Sequence, residues 1–125
     1  MIKYNMNPKG IKAGDCVIRA IAYSLDQTWE ETYDDLCKLG MKMKRMPNEK
    51  QVYEKYLEQK GWVKHKQPRT SFNTKYTVFE FIEYQMERKA IISVANHLTC
   101  VDNFELVDTW DCSRKSIGNY WTKED

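Results

Sequence analysis

The chain has no apolar run near the roughly 20 residues that a membrane-crossing helix needs, and its opening "MIKYNMNPKG" lacks the apolar centre of a secretion signal. A membrane protein and a secreted one are therefore not expected, and the cytoplasm is the expected compartment. Charge of one sign is also lacking. Twenty Lys and Arg against 18 Asp and Glu leave a net +2, which argues against a dedicated nucleic-acid binder and against a membrane-surface protein. No internal repeat and no Gly/Ser/Pro linker divides the 125 residues, so a single domain over 1–125 is expected. No close Cys-x-x-Cys pair is present among cysteines 16, 37, 100 and 112, which argues against a zinc site and for no cofactor. In a reducing compartment those cysteines are free thiols.

What is present is a core-forming composition, 42% hydrophobic and 13% aromatic. After an irregular entry containing Asn5, Asn7, Pro8 and Gly10, Asp15 is placed to cap a helix running to about Leu25. Val17, Ile18, Ala20, Ile21, Ala22 and Leu25 cover most of its circumference, so it should be buried, with Arg19 its odd member. Thr28 and Glu31 form a capping-box pattern for a second helix, with Trp29, Tyr33, Leu36 and Cys37 on its apolar stripe and an end near Gly40. Asn48 with Gln51 opens a third, which stops at Gly61. Trp62 to Gln67 reads as extended. Thr77 with Glu80 opens a fourth, turning Val78, Phe79, Phe81, Ile82 and Met86 inward.

From Ala90 the texture becomes that of strands, "AIISVA", "HLTCV" and "FELVDTW", with another extended piece around Ile117 to Trp121. Helices followed by an antiparallel sheet give an α+β class.

The stretch "NHLTCVDNFELVDTWD" carries the chemistry. A two-residue turn at Asp102–Asn103 sets His97 opposite Asp108 and gathers His97, Thr99, Val101, Phe104, Leu106, Asp108 and Trp110 on one face, the more apolar and so the inner one. Opposed side chains have Cβ atoms about 5 Å apart, close enough for a carboxylate to hold an imidazole. The alternation selects Asp108 over Asp111. Cys16, at a helix start, is where a thiol is activated: the helix N-terminus and an imidazolium both lower its pKa, and first-turn N–H groups can receive an oxyanion.

These residues resemble a papain-like cysteine peptidase of the small bacterial and phage-encoded kind. The matching pieces are "GDCVIRAIA", "NHLTCV" and "VDTWD", spanning Asp15 to Asp111. The resemblance implies a papain-like fold, N-terminal helices packed on a C-terminal antiparallel sheet. It also implies a thiol protease or related hydrolase acting on a protein or peptide, with Cys16 attacking an amide or isopeptide carbonyl, His97 shuttling the proton and Asp108 orienting His97. That family takes an oxyanion-hole Gln or Asn from shortly before the cysteine. Here the region reads "GIKAGD", which leaves Asn7 or Asn5, further upstream, beside the Cys16 N–H.

Each residue also has a plainer role. Cys16 and Cys37 can be small core hydrophobes, Asp108 can cap a backbone N–H, and His65 can be a solvated residue between lysines. Arg19 can steady a thiolate or substrate carbonyl, or simply pair with an acid. Trp110 can shield the His–Asp pair, or pack a core. From 42 to 69, nine Lys and Arg (42, 44, 45, 50, 55, 60, 64, 66, 69) meet three Glu (49, 54, 58). That is a solvated helix face or the contact surface of the competing reading, an inactive papain-like scaffold serving as a binding protein, such as a phage-encoded inhibitor of a host factor.

Overall fold

The computed structural model describes residues 6–124. Four helices and five strands follow one another as α1 (Cys16–Leu25), α2 (Trp29–Met43), α3 (Lys50–Gln59), β1 (Trp62–His65), α4 (Val78–Glu83), β2 (Ala90–Val94), β3 (His97–Asp102), β4 (Glu105–Val107) and β5 (Tyr120–Lys123). The class is α+β, with three helices before an antiparallel five-stranded sheet of order β1-β5-β2-β3-β4. Among the described residues no helix is long and apolar enough to cross a membrane.

Apolar side chains all round α1 make it the buried helix of the fold, and it packs across β3. Asp15 occupies its N-cap position, yet the carboxylate makes no capping hydrogen bond. Thr28 caps α2 by accepting the Glu31 N–H at 3.0 Å. That helix continues past Gly40, where a stop was expected, to Met43, because Gly40 is an approach point: a Cβ there would lie 2.6 Å from the returning Arg45 carbonyl oxygen. The turn is made instead by Lys44 in the left-handed region, φ 61°. The start expected at Asn48 and Gln51 falls at Glu49, which is extended and uses no side-chain cap. Thr77 and Glu80 close a full capping box on α4. On that helix Phe79 points to solvent, 57% exposed, contrary to expectation, because Val78 and Phe81 already occupy the inward stripe.

The β3–β4 turn corrects the expected register. Asn103 and Phe104, with φ 53° and 60°, form it, one residue later than Asp102–Asn103, and Asp102 pairs with Glu105, Val101 with Leu106, Cys100 with Val107. Two consecutive residues with positive φ match the twist of a tight hairpin, and the Phe104 N–H is held by the Arg88 carbonyl at 3.1 Å. Partners have moved by two positions, an even number, so side chains stay on the same face but His97 is not directly opposite Asp108. β4 ends at Val107, leaving Asp108 and Trp110 beyond the strand.

Nor is there one inner face. Leu98, Cys100, Val107, Ile91 and Trp121 pack toward α1, α2 and α3, while Ala90, Ile92, Val94, Val101 and Leu106 pack with Val78, Phe81, Cys112 and Ile117. β2 is buried along its whole length. The last extended piece lies at Tyr120–Lys123 rather than Ile117–Trp121, and it enters the middle of the sheet between β1 and β2.

Candidate active site

Cys16 is the first residue of α1, half-buried, and His97 is the first of β3, set by the tight Ala95–Asn96 turn that pairs Val94 with His97. Asp108 is the first residue past β4. The hairpin brings the His97 Nε2 to 2.6 Å from the Asp108 Oδ2, with the two side chains 11% and 3% exposed. Cys16 and His97 line the same cleft, where the imidazole and the Leu98 backbone favour the Cys16 thiolate. The three residues expected to act together therefore lie near one another, His97 and Asp108 in direct contact and Cys16 beside each of them in the lining of adjoining cavities.

Asp108 is fixed from several directions. Its Oδ1 accepts the N–H of Thr109 at 2.7 Å and of Trp110 at 3.2 Å, and the Arg19 guanidinium lies 3.7 Å away. The Cys112 thiol points at its Oδ2 from 3.9 Å. Trp110 stands edge-on to the His97 ring, centroids 4.8 Å apart at 82°, although the indole is 43% exposed. Arg19 donates to Asp15 at 2.9 Å and to Thr109 Oγ1 at 3.0 Å, so it links the nucleophile helix to the loop that carries the acid.

Electrostatics follow from this packing. Burial pushes the Cys16 thiol up, but the hydrogen bonds from His97 and the Leu98 backbone, with the positive charges of His97 and Arg19, bring it below its ordinary 9.0. Burial also disfavours the His97 cation. The hydrogen bond to Asp108, contacts with Cys112 and Cys16, and the Asp108 charge outweigh it and push His97 up to about 11. Burial likewise works against the Asp108 carboxylate, and its hydrogen bond and charge attraction to His97 hold it below 3.8. Imidazolium and carboxylate are the favoured charge states of the pair at neutral pH, and the thiolate of Cys16 is stabilised beside them.

Asp15, having turned away from the helix N–H groups, collects Trp29 Nε1 at 2.8 Å, Arg19 Nε at 2.9 Å and Asn7 Nδ2 at 3.3 Å. The first-turn N–H groups of α1 are thus not taken by their own N-cap side chain. Asn7, the expected side-chain oxyanion donor, gives its amide to Asp15 and does not line the cleft that holds Cys16 and His97. Asn5 lies outside the described residues. That cleft measures about 1000 Å³ and opens between α1, α3, the β2–β3 turn and residues 115–118.

All four cysteines are free thiols. His97, Asp108 and Cys112 present potential ligand atoms within 4.8 Å of one another, a set that was not anticipated from the sequence because Cys112 lies in a loop without period. Two donors sharing a tetrahedral metal at about 2.0 Å stand about 3.3 Å apart. The 2.6 Å between His97 and Asp108 fits a shared proton better than a shared ion.

Comparison with protein-family models, with curated proteins and with solved structures finds no match to this chain.

Proposed function

We propose that the protein is a papain-like cysteine hydrolase that cleaves an amide or isopeptide bond. The observation that carries this reading is His97, which is held by Asp108 at 2.6 Å and lines one cleft with Cys16 at the start of α1. In the proposed reaction the Cys16 sulfur attacks the carbonyl carbon, and the carbonyl π electrons move onto oxygen. The uncapped N–H groups at the start of α1 receive that oxyanion. Collapse breaks the C–N bond, the amine leaves with the proton from His97, and an acyl thioester remains on Cys16. Water then attacks the thioester with His97 taking its proton, and the thiolate is restored. Asp108 keeps the ring oriented and its charge balanced throughout. The four unpaired thiols support a reducing compartment, the cytoplasm.

A second reading is favoured by one observation: Asn7 is committed to Asp15, so the side-chain oxyanion donor that papain-like enzymes use is not supplied from that position. A binding protein on the same scaffold would fit. The two part on one experiment. Cys16→Ala abolishes turnover of a peptide or isopeptide substrate and removes the fast-reacting thiol under the first reading, and leaves the biological effect intact under the second.

A further inference from the structure

Among the described residues the cleft around Cys16 has no Asp or Glu in its lining, and it does have Lys50, Lys75 and Lys115. These lysines come from three separate walls: the first residue of α3, the segment leading to α4, and the loop after Cys112. All three side chains are exposed. Their backbones are held, Lys75 by a bridge to Arg69 and Lys115 by its N–H to Cys112 O at 2.9 Å and its carbonyl to the Val78 N–H at 3.0 Å.

Elsewhere on the surface basic side chains find acids, as in Lys38 with Asp34 and Lys64 with Glu54. Among the described residues none of the three cleft lysines is in an ion pair. Lys50 Nζ donates to the Asn119 amide oxygen at 2.8 Å, and Lys115 Nζ sits 6.0 Å from the Trp110 ring centroid. The remaining cations of the lining are balanced by acids outside it: Arg19 is paired with Asp15 at 2.9 Å and His97 with Asp108 at 2.6 Å. Three positive charges are left over in a concave space, where low-dielectric walls strengthen their field.

We infer that the cleft takes an acidic polypeptide segment, with Asp or Glu side chains on both sides of the scissile amide held by Lys50, Lys75 and Lys115. This deepens the hydrolase reading and rests on it. A polypeptide is favoured over nucleic acid for two reasons. A thiolate centre of this kind acts on an acyl carbon, which a phosphodiester backbone does not offer. Single-stranded nucleic acid also needs exposed aromatic platforms, and Tyr53, the one Phe, Tyr or Trp among the described lining residues, is 6% exposed.

The test uses Cys16→Ala protein and three fluorescein-labelled probes: a peptide alternating Glu and Ala, its Gln counterpart, and a DNA oligonucleotide of equal charge. Fluorescence anisotropy should give the Glu peptide about tenfold tighter binding than the Gln peptide at low salt. The gap should close as NaCl rises from about 0.05 to about 0.5 M, where the Debye length shrinks toward contact distance. Lys50→Gln, Lys75→Gln and Lys115→Gln, singly and combined, should remove the preference stepwise. Equal binding of the two peptides, a preference unmoved by the lysine variants, or tighter binding of the oligonucleotide overturns the assignment. Wild-type turnover separates the two levels. Both peptides cleaved with equal kcat/KM overturns acid selectivity and leaves hydrolysis standing. Glu-selective binding with no cleavage of any peptide overturns hydrolysis, and with it the scissile-amide assignment.

Discussion

His97 and Asp108 share a 2.6 Å hydrogen bond although no strand ladder connects them; β4 ends one residue before the acid, and the carboxylate is pinned instead by the Thr109 and Trp110 N–H groups. Because the acid is held by its own loop, Asp108→Asn is expected to keep the fold while lowering kcat by about a hundredfold or more, with KM changed little. The alkaline limb of the pH–rate profile should move to lower pH, since His97 loses the carboxylate that raises it. An unchanged profile would remove Asp108 from the site.

Cys16 is the thiol expected to react first. Its pKa is lowered by His97 and the start of β3 against the effect of burial, whereas burial pushes Cys100 up to about 12. Iodoacetamide at mildly acidic pH should add one adduct, on Cys16, by intact-mass measurement and peptide mapping. His97→Ala should slow that labelling by about tenfold for each pKa unit the thiol regains. Labelling of Cys37 ahead of Cys16 would contradict the assignment.

Folding stability should show a plateau. A thiol lowered from 9.0 contributes stability that is present above 9.0 and lost as pH falls through its folded value; an imidazole raised from 6.5 to about 11 contributes stability present below 6.5 and lost as pH rises toward 11. Above 6.5, wherever the folded thiol is ionised, the two slopes cancel, so the urea midpoint should level off up to 9.0 and fall above it. Tyr53 and Tyr56, raised mainly by burial, steepen the alkaline fall. Cys16→Ser removes the thiol slope, and the decline should then begin at 6.5. A Cys16→Ser midpoint that follows the wild-type curve all the way to 9.0 would mean that folding does not lower the thiol.

Asp15→Ala should destabilise by about 2–4 kcal/mol, because it strips Trp29, Arg19 and Asn7 of one shared, 4%-exposed acceptor. Thermal unfolding measures the loss. Thiol reactivity should fall as well, since the same carboxylate steadies the approach to Cys16.

Legibility in the sequence tracked locality. The periodicity of residues 16–25 revealed a helix buried all round, and Thr77 with Glu80 announced its own cap. Period-two alternation also pointed to Asp108 rather than Asp111, and Asp111 in the structure serves the Ser113 N–H instead. The turn was misplaced by one residue because Asn103–Phe104 puts an aromatic where a left-handed residue is rarely aromatic; the even shift spared the facing relations. Cys112, four residues past the acid in an irregular loop, and the insertion of β5 between β1 and β2 depend on contacts far apart in the chain. No local pattern encodes either.

That central position of β5 makes closure of the sheet depend on a strand far along the chain. Among the described residues β1 has no other neighbour in the sheet, Trp121 fills the space beside Tyr53, and one wall of the cleft is the approach to this strand at Ile117 and Gly118. A nascent chain that has already released its cysteine from the ribosome must wait until residues 120–123 follow before the sheet can zip shut. The wall beside Cys16 is therefore completed only once β5 has joined the sheet.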